Sequence, residues 1–110
     1  MIRRTFLASV AALATLSGAA FAADALRIGV EAAYPPFSFK ESDGTLSGFD
    51  IEIANAICAQ MQRDCTLVEQ EWDGMIPALK ARKFDAIVAS MSITEERKRQ
   101  IDFSEKYYQT

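Results

Sequence analysis

Phe84-Asp85-Ala86-Ile87-Val88-Ala89, running straight into Ser90-Met91-Ser92-Ile93-Thr94-Glu95-Glu96-Arg97, decides the fold. The first half is apolar at every position but Asp85. An apolar run without two-residue alternation predicts a strand covered on both faces, the hallmark of a parallel sheet flanked by helices. The second half is rich in hydroxyls. Thr94 is placed to cap a helix with Glu95 and Glu96 at its positive end and Lys98 and Arg99 near its negative end.

Reading outward, the same alternation of strand and helix recurs. Upstream, Asp73 is positioned to cap a helix through Lys80–Arg82, with Pro77 in its first turn, where a missing N–H costs nothing. Thr66–Gln70 reads as a strand. Phe49, Ile53, Ile57 and Met61 recur every four residues, which predicts a helical apolar stripe. Ser42-Asp43-Gly44 is a turn, and Phe37 and Phe39 alternate around Ser38 as a short strand. Tyr34-Pro35-Pro36-Phe37 breaks regular structure, because proline fixes φ and lacks an N–H. Leu26, Ile28 and Val30 alternate with Arg27 and Gly29, a half-buried strand. The order strand, loop, helix, strand, helix, strand, helix argues an α/β layer with a mostly parallel sheet.

The first 22 residues stand apart. They hold two arginines, no acid and 15 apolar side chains. Met1–Arg4 is basic, Thr5–Ala23 is uncharged, and Ala20-Phe21-Ala22 places small residues where a signal peptidase reads. This is the three-part secretory pattern, and the expectation is cleavage after Ala22. The uncharged run is also just long enough to span a membrane, but Gly18 and the many Ala and Ser residues lower its hydrophobicity. Arg3-Arg4-Thr5-Phe6-Leu7 partly matches a twin-arginine export motif, so the general and the twin-arginine routes both stay open.

Beyond Ala22 lie 88 residues with 10 basic and 15 acidic side chains, net −5. Such a body buries one core. Its acidity and its lack of a basic run argue against nucleic acid as partner. The absence of histidine excludes a Ser-His-Asp triad, a Cys-His pair and a His-ligated zinc. No cofactor or metal is expected.

Cys58 and Cys65 face an oxidising compartment if the chain is exported. On one helix they would stand about 10 Å apart along the axis, too far to bridge. They meet only if the helix ends between them, and Gln62-Arg63-Asp64 is a suitable exit. Two separate buried thiols are the other reading.

In open α/β sheets, ligands sit beyond the carboxyl ends of the strands. Three loops here follow strands: one with Glu31 and Tyr34, one with Glu71, Trp72 and Asp73, and one with Ser90, Ser92 and Thr94 leading into Arg97. Hydroxyls, a helix amino terminus and a guanidinium suit a carboxylate. Carboxylates and ring faces suit a cation. Together they form a cradle for a small zwitterion. Each residue also has a plainer reading: Arg97 in a solvated charge run, Trp72 and Tyr34 in a core, Ser90 and Ser92 satisfying a turn, Glu31 on the surface.

Gly48-Phe49-Asp50-Ile51-Glu52-Ile53-Ala54-Asn55-Ala56-Ile57-Cys58 resembles the motif of the family 3 extracellular solute-binding proteins, the periplasmic amino-acid receptors of ABC importers. Further matches fall in order at Leu26–Val30 with Tyr34-x-Pro36-Phe37, Trp72–Leu79, Phe84–Ile87, Ser92–Arg97, and Asp102-Phe103-Ser104 with Tyr107-Tyr108. The likeness is greatest to the lysine/arginine/ornithine- and histidine-binding branch, which also carries a cysteine pair at this spacing.

The resemblance implies a two-lobed periplasmic-binding-protein fold with the ligand trapped between lobes. This chain supplies the first lobe, residues 23–110, ending near the first hinge strand. The family is about twice as long, in keeping with a two-domain size. Arg97 is similar to the arginine that pairs with the ligand α-carboxylate, and Ser92 and Thr94 lie in the segment that supplies hydroxyl and N–H contacts to it. Ser90 resembles a contact near the α-ammonium, and Tyr34 and Trp72 resemble residues that flank the ligand side chain. Glu31 matches an acidic position facing the distal cation of basic amino acids; it stands where Asp is common, which alters the reach. Ala89 stands where that branch often has serine. The implied ligand is arginine, lysine, ornithine or histidine, the implied partners are the importer's membrane subunits, and the protein is expected to be a monomer. A single lobe leaves the arginine–carboxylate pair solvated, so it is expected to bind weakly or not at all. An exported cyclohexadienyl or arogenate dehydratase on the same fold, and a ligand-sensing domain of a membrane receptor, are the alternatives.

Overall fold

The strand β1 (Leu26–Val30) is the centre of a three-stranded parallel sheet. The computed structural model describes residues 24–109. The targeting segment, its cleavage point after Ala22 and Thr110 lie outside them. β5 (Cys65–Glu69) pairs with β1 on one side, Leu26 opposite Cys65 and Val30 opposite Glu69. β6 (Ala86–Ile87) pairs on the other, Ile28 opposite Ala86 and Gly29 opposite Ile87.

Helices cover both faces. α1 (Phe49–Gln60) lies against Ile28, Val30 and Val88 through Ile51, Ala54 and Cys58. α2 (Met75–Lys80) joins Phe84 and Ala89 through Met75 and Ala78, with Val68 and Ile87 packed alongside. The alternating sides of β1 explain the split: Ile28 and Val30 face α1, while Gly29 faces the other way. There the Phe84 ring fills the space a side chain would take, 2.6 Å from a Cβ built on Gly29. The apolar run at Phe84–Ala89 packs into both layers as its composition predicts, but the strand expected across it is confined to Ala86–Ile87.

A second, antiparallel sheet is built from β2 (Ala33–Tyr34), β3 (Ser38–Lys40) and β4 (Leu46–Ser47). Of these, only β3 was legible as a strand. The Tyr34–Phe37 turn closes with the Phe37 N–H donating to the Tyr34 carbonyl at 2.9 Å. The turn then feeds α1: the Pro36 and Phe37 carbonyls accept from the N–H groups of Phe49 and Asp50 at 3.2 and 2.7 Å. These bonds satisfy orphan donors of a helix whose cap position, Gly48, has no side chain to offer.

Two expectations are corrected. The stripe Phe49, Ile53, Ile57, Met61 is not the buried face: Ile57 and Met61 are 40% and 48% exposed. A strict four-residue spacing advances about 40° per step around an α-helix, so the row winds out into solvent. The spacing three then four of Ile51, Ala54 and Cys58 holds one face. The cap at Asp73 is absent as well. A 3₁₀ turn at Trp72–Gly74 leads into α2, and Gly74 precedes the helix without a side-chain cap.

The disulfide is present, Cys58 to Cys65 with Cα atoms 6.1 Å apart. α1 ends as its exit sequence predicts. Gln62 takes φ 52°, its N–H donates to the Ala59 carbonyl, and the Arg63 N–H donates to Cys58. This paired closure reverses the chain within a few residues and brings Cys65 beside Cys58.

Candidate functional site

With β1 between two parallel partners, the loops after β1, β5 and β6 leave the same edge of the sheet. Glu31, Ser90, Ser92 and Thr94 lie in these connections, and Tyr34, Trp72 and Arg97 on the short elements they lead into, β2, the 3₁₀ turn and the next helix. Arg97 binds two of the connections together. It belongs to α3 (Glu95–Lys98), capped by the Thr94 hydroxyl, which accepts from the Arg97 N–H at 3.1 Å. Its guanidinium carbon lies 5.4 Å from the centroid of the Trp72 ring, and its Nη1 donates to the Ser92 carbonyl at 2.8 Å. A half-buried guanidinium held on a ring face by one carbonyl keeps its other donors for an anion. Thr94 serves as the cap of α3.

The remaining candidates divide between two concavities. Tyr34, Ser90 and Ser92 share a groove of about 710 Å³ with Phe37, Tyr107 and Tyr108. Glu31 and Trp72 share a second, about 660 Å³, with Lys40, Glu69 and Glu71. Lys40 pairs with Glu69 at 2.7 Å, so Glu31 and Glu71 leave this second rim acidic. Tyr34 is 47% exposed and stacks on Phe37 at 5.1 Å between centroids. Phe37, Phe49 and Tyr108 continue the aromatic wall, with centroids 5.5 to 6.3 Å apart.

Sequence reasoning missed two site-forming residues. Asp50, in the first turn of α1, is fully buried, and its Oδ1 accepts from the Ser90 hydroxyl at 2.7 Å and from the Tyr107 hydroxyl at 2.9 Å. The Ser90 N–H donates in turn to the Tyr107 oxygen at 2.9 Å. Ser90 itself holds a left-handed φ of 51°, a conformation that costs a non-glycine residue and is kept only where neighbours hold it. Burial pushes the Tyr107 phenol above its ordinary range, against the opposing pull of its bond to Ser90. Both lie in motifs quoted above; the signal for Asp50 is an acid on the same helical face as Ile51, Ala54 and Cys58, while nothing local marks Tyr107 as its partner.

A parallel sheet flanked by helices, with these loops at its carboxyl edge, is the architecture of a periplasmic-binding-protein lobe. The chain belongs to the bacterial extracellular solute-binding proteins, family 3, whose family model matches residues 26–110. It is 57% identical over 110 residues to the L-arginine-binding protein of Pseudomonas aeruginosa, covering 99% of this chain and 42% of that protein. It is 44% identical over 107 residues to the lysine/arginine/ornithine-binding periplasmic protein of Escherichia coli K12, covering 91% and 41%. The chain thus spans less than half the length of these curated relatives. Among solved structures, an ancestral arginine-binding protein bound to arginine superposes with a TM-score of 0.75 at 48% identity, covering 76% of this chain and 37% of that one. The arginine-bound form of domain 1 from TmArgBP superposes with a TM-score of 0.72 at 38% identity, covering 76% of this chain and 66% of that one.

Proposed function

We propose that this chain carries the α-carboxylate-binding half of a periplasmic receptor for a cationic amino acid, exported with cleavage after Ala22 and serving an ABC importer. The observation that carries the reading is Arg97, steadied by Trp72 and the Ser92 carbonyl with its other donors free. Ser92 and Arg97 receive the α-carboxylate, Ser90 lies toward the α-ammonium, and Tyr34 and Trp72 flank the ligand side chain. Glu31, on the acidic rim, faces the distal cation.

Relatives named for arginine, lysine and ornithine support the ligand class. The arginine-bound domain 1 of TmArgBP supports measurable binding by one lobe alone. On that reading this chain by itself binds weakly but measurably. A single lobe still leaves the ligand open to water, so its affinity falls below that of a two-lobed receptor.

Calorimetric titration with arginine, lysine, ornithine, histidine, glutamine and glycine tests the proposal. Binding confined to the cationic group supports it. Preference for glutamine, or no binding by any of them, would reject the ligand class. Turnover of prephenate or arogenate would support the dehydratase reading instead.

A further inference from the structure

Asp50 is the least expected side chain in the described core. It is fully buried on the apolar face of α1, and no Lys or Arg among the described residues forms an ion pair with it. A buried charge without a counter-ion is costly. Here it is supported by two hydroxyls on Oδ1 and by the positive end of α1, in whose first turn it sits, while Oδ2 has no partner.

The consequence falls on Ser90. A carboxylate accepts and cannot donate. The Ser90 hydroxyl proton is therefore committed to Asp50, and its backbone N–H is committed to the Tyr107 oxygen. What the Ser90 hydroxyl can offer the groove that the residue lines is a pair of oxygen lone pairs. It can accept from a ligand; it has no proton left to give. A buried negative charge stands behind that oxygen and favours a cationic donor over a neutral one.

We infer that Asp50 is a positioning residue that holds Ser90 as an acceptor-only contact for a protonated nitrogen of the ligand. The inference rests on the amino-acid reading above. An α-ammonium and a side-chain guanidinium share the required chemistry, and the choice of ligands separates them.

The test titrates the whole chain and its Asp50→Asn and Ser90→Ala variants with arginine, with 5-guanidinopentanoate, which lacks the α-ammonium, and with citrulline, which lacks the guanidinium charge. Displacement of bound arginine is used where the heat is small. Both variants are expected to lose about tenfold or more for arginine, as when one hydrogen bond to a charged group is removed. The loss shrinks to about twofold or less on the ligand that lacks the nitrogen Ser90 meets. Shrinkage on 5-guanidinopentanoate assigns the α-ammonium, and shrinkage on citrulline the guanidinium. Equal losses on all three ligands, or none, overturn the inference and leave Asp50 a structural residue. If circular dichroism finds Asp50→Asn unfolded, Ser90→Ala decides by the same criterion. Failure of the unmutated chain to bind any cationic amino acid overturns the underlying reading, and the inference with it.

Discussion

The Arg97 guanidinium carbon rests 5.4 Å above the centroid of the Trp72 ring, joining the loop after β5 to the loop after β6. One Arg97 nitrogen is spent on the Ser92 carbonyl, and the ring holds the plane. The guanidinium is thereby held in one orientation, which in the proposed role lowers the ordering cost of binding.

Arg97→Ala should weaken every α-amino acid by a similar factor, because all share the carboxylate. Trp72→Ala should also weaken all of them, by about 0.5–1 kcal/mol, through the loosened arginine. Trp72→Phe should retain most of the affinity. Trp72 is the chain's single tryptophan, so its fluorescence reports on the pair directly. A ligand-dependent emission change that persists in Arg97→Ala would separate the ring from the arginine.

Glu31→Gln should weaken arginine and lysine selectively, by about 1.5–3 kcal/mol, the range for a hydrogen bond to a charged group. Glu31 lies on the acidic rim beside Glu71 and Trp72. Titration with arginine, lysine and glutamine in parallel checks the selectivity. Unchanged affinity for the basic ligands would remove Glu31 as the specificity element.

Reduction of Cys58–Cys65 should destabilise the lobe by roughly 2–3 kcal/mol, from the chain entropy released on opening a short loop. Denaturant unfolding with and without reductant measures it. Intact mass after alkylation should show both thiols labelled after reduction and neither before.

Gly48→Ala should cost about 1–3 kcal/mol, the range for a side chain forced into a sparsely populated backbone conformation. Gly48 has φ 117°, and a Cβ there would clash with the Phe37 carbonyl oxygen, itself bonded to the Asp50 N–H. Because backbone sits on both sides of the clash, little can yield. Thermal unfolding of the variant tests this.

The pH dependence has two arms. The Arg27 side chain, hydrogen-bonded to Asp85, holds that carboxyl below its ordinary range. A depressed folded value contributes stability above the ordinary value of 3.8, and the contribution is lost as pH falls through the lower folded value. Asp85→Asn should flatten the acid limb of a stability–pH curve. Tyr107 shifts the other way. Its raised value contributes stability below the ordinary value of 10.0, lost as pH rises through the folded value. Tyr107→Phe should flatten the alkaline limb, and ultraviolet difference absorbance follows the phenol itself.

The features legible in the sequence were those set by short-range rules. Two-sided burial at Phe84–Ala89 follows from composition, the cap at Thr94 from a single hydroxyl, and the meeting of Cys58 with Cys65 from a helix that must end between them. The loops after the strands were placed on one edge because parallel strands share a direction. What escaped were contacts whose partners lie far apart in the chain. Asp50 meets Ser90 across 40 residues and Tyr107 across 57, and no local pattern encodes such a pair. The buried face of α1 also waited on packing. Both the four-residue row and the Ile51, Ala54, Cys58 row are apolar, and the one that faces the sheet is the one that stays aligned along the helix. Residue types and local periodicity therefore determined the layers and the edge that carries the candidate site. The tertiary structure alone decided which hydroxyl keeps a proton to give and which guanidinium is held ready, because those properties belong to neighbours in space.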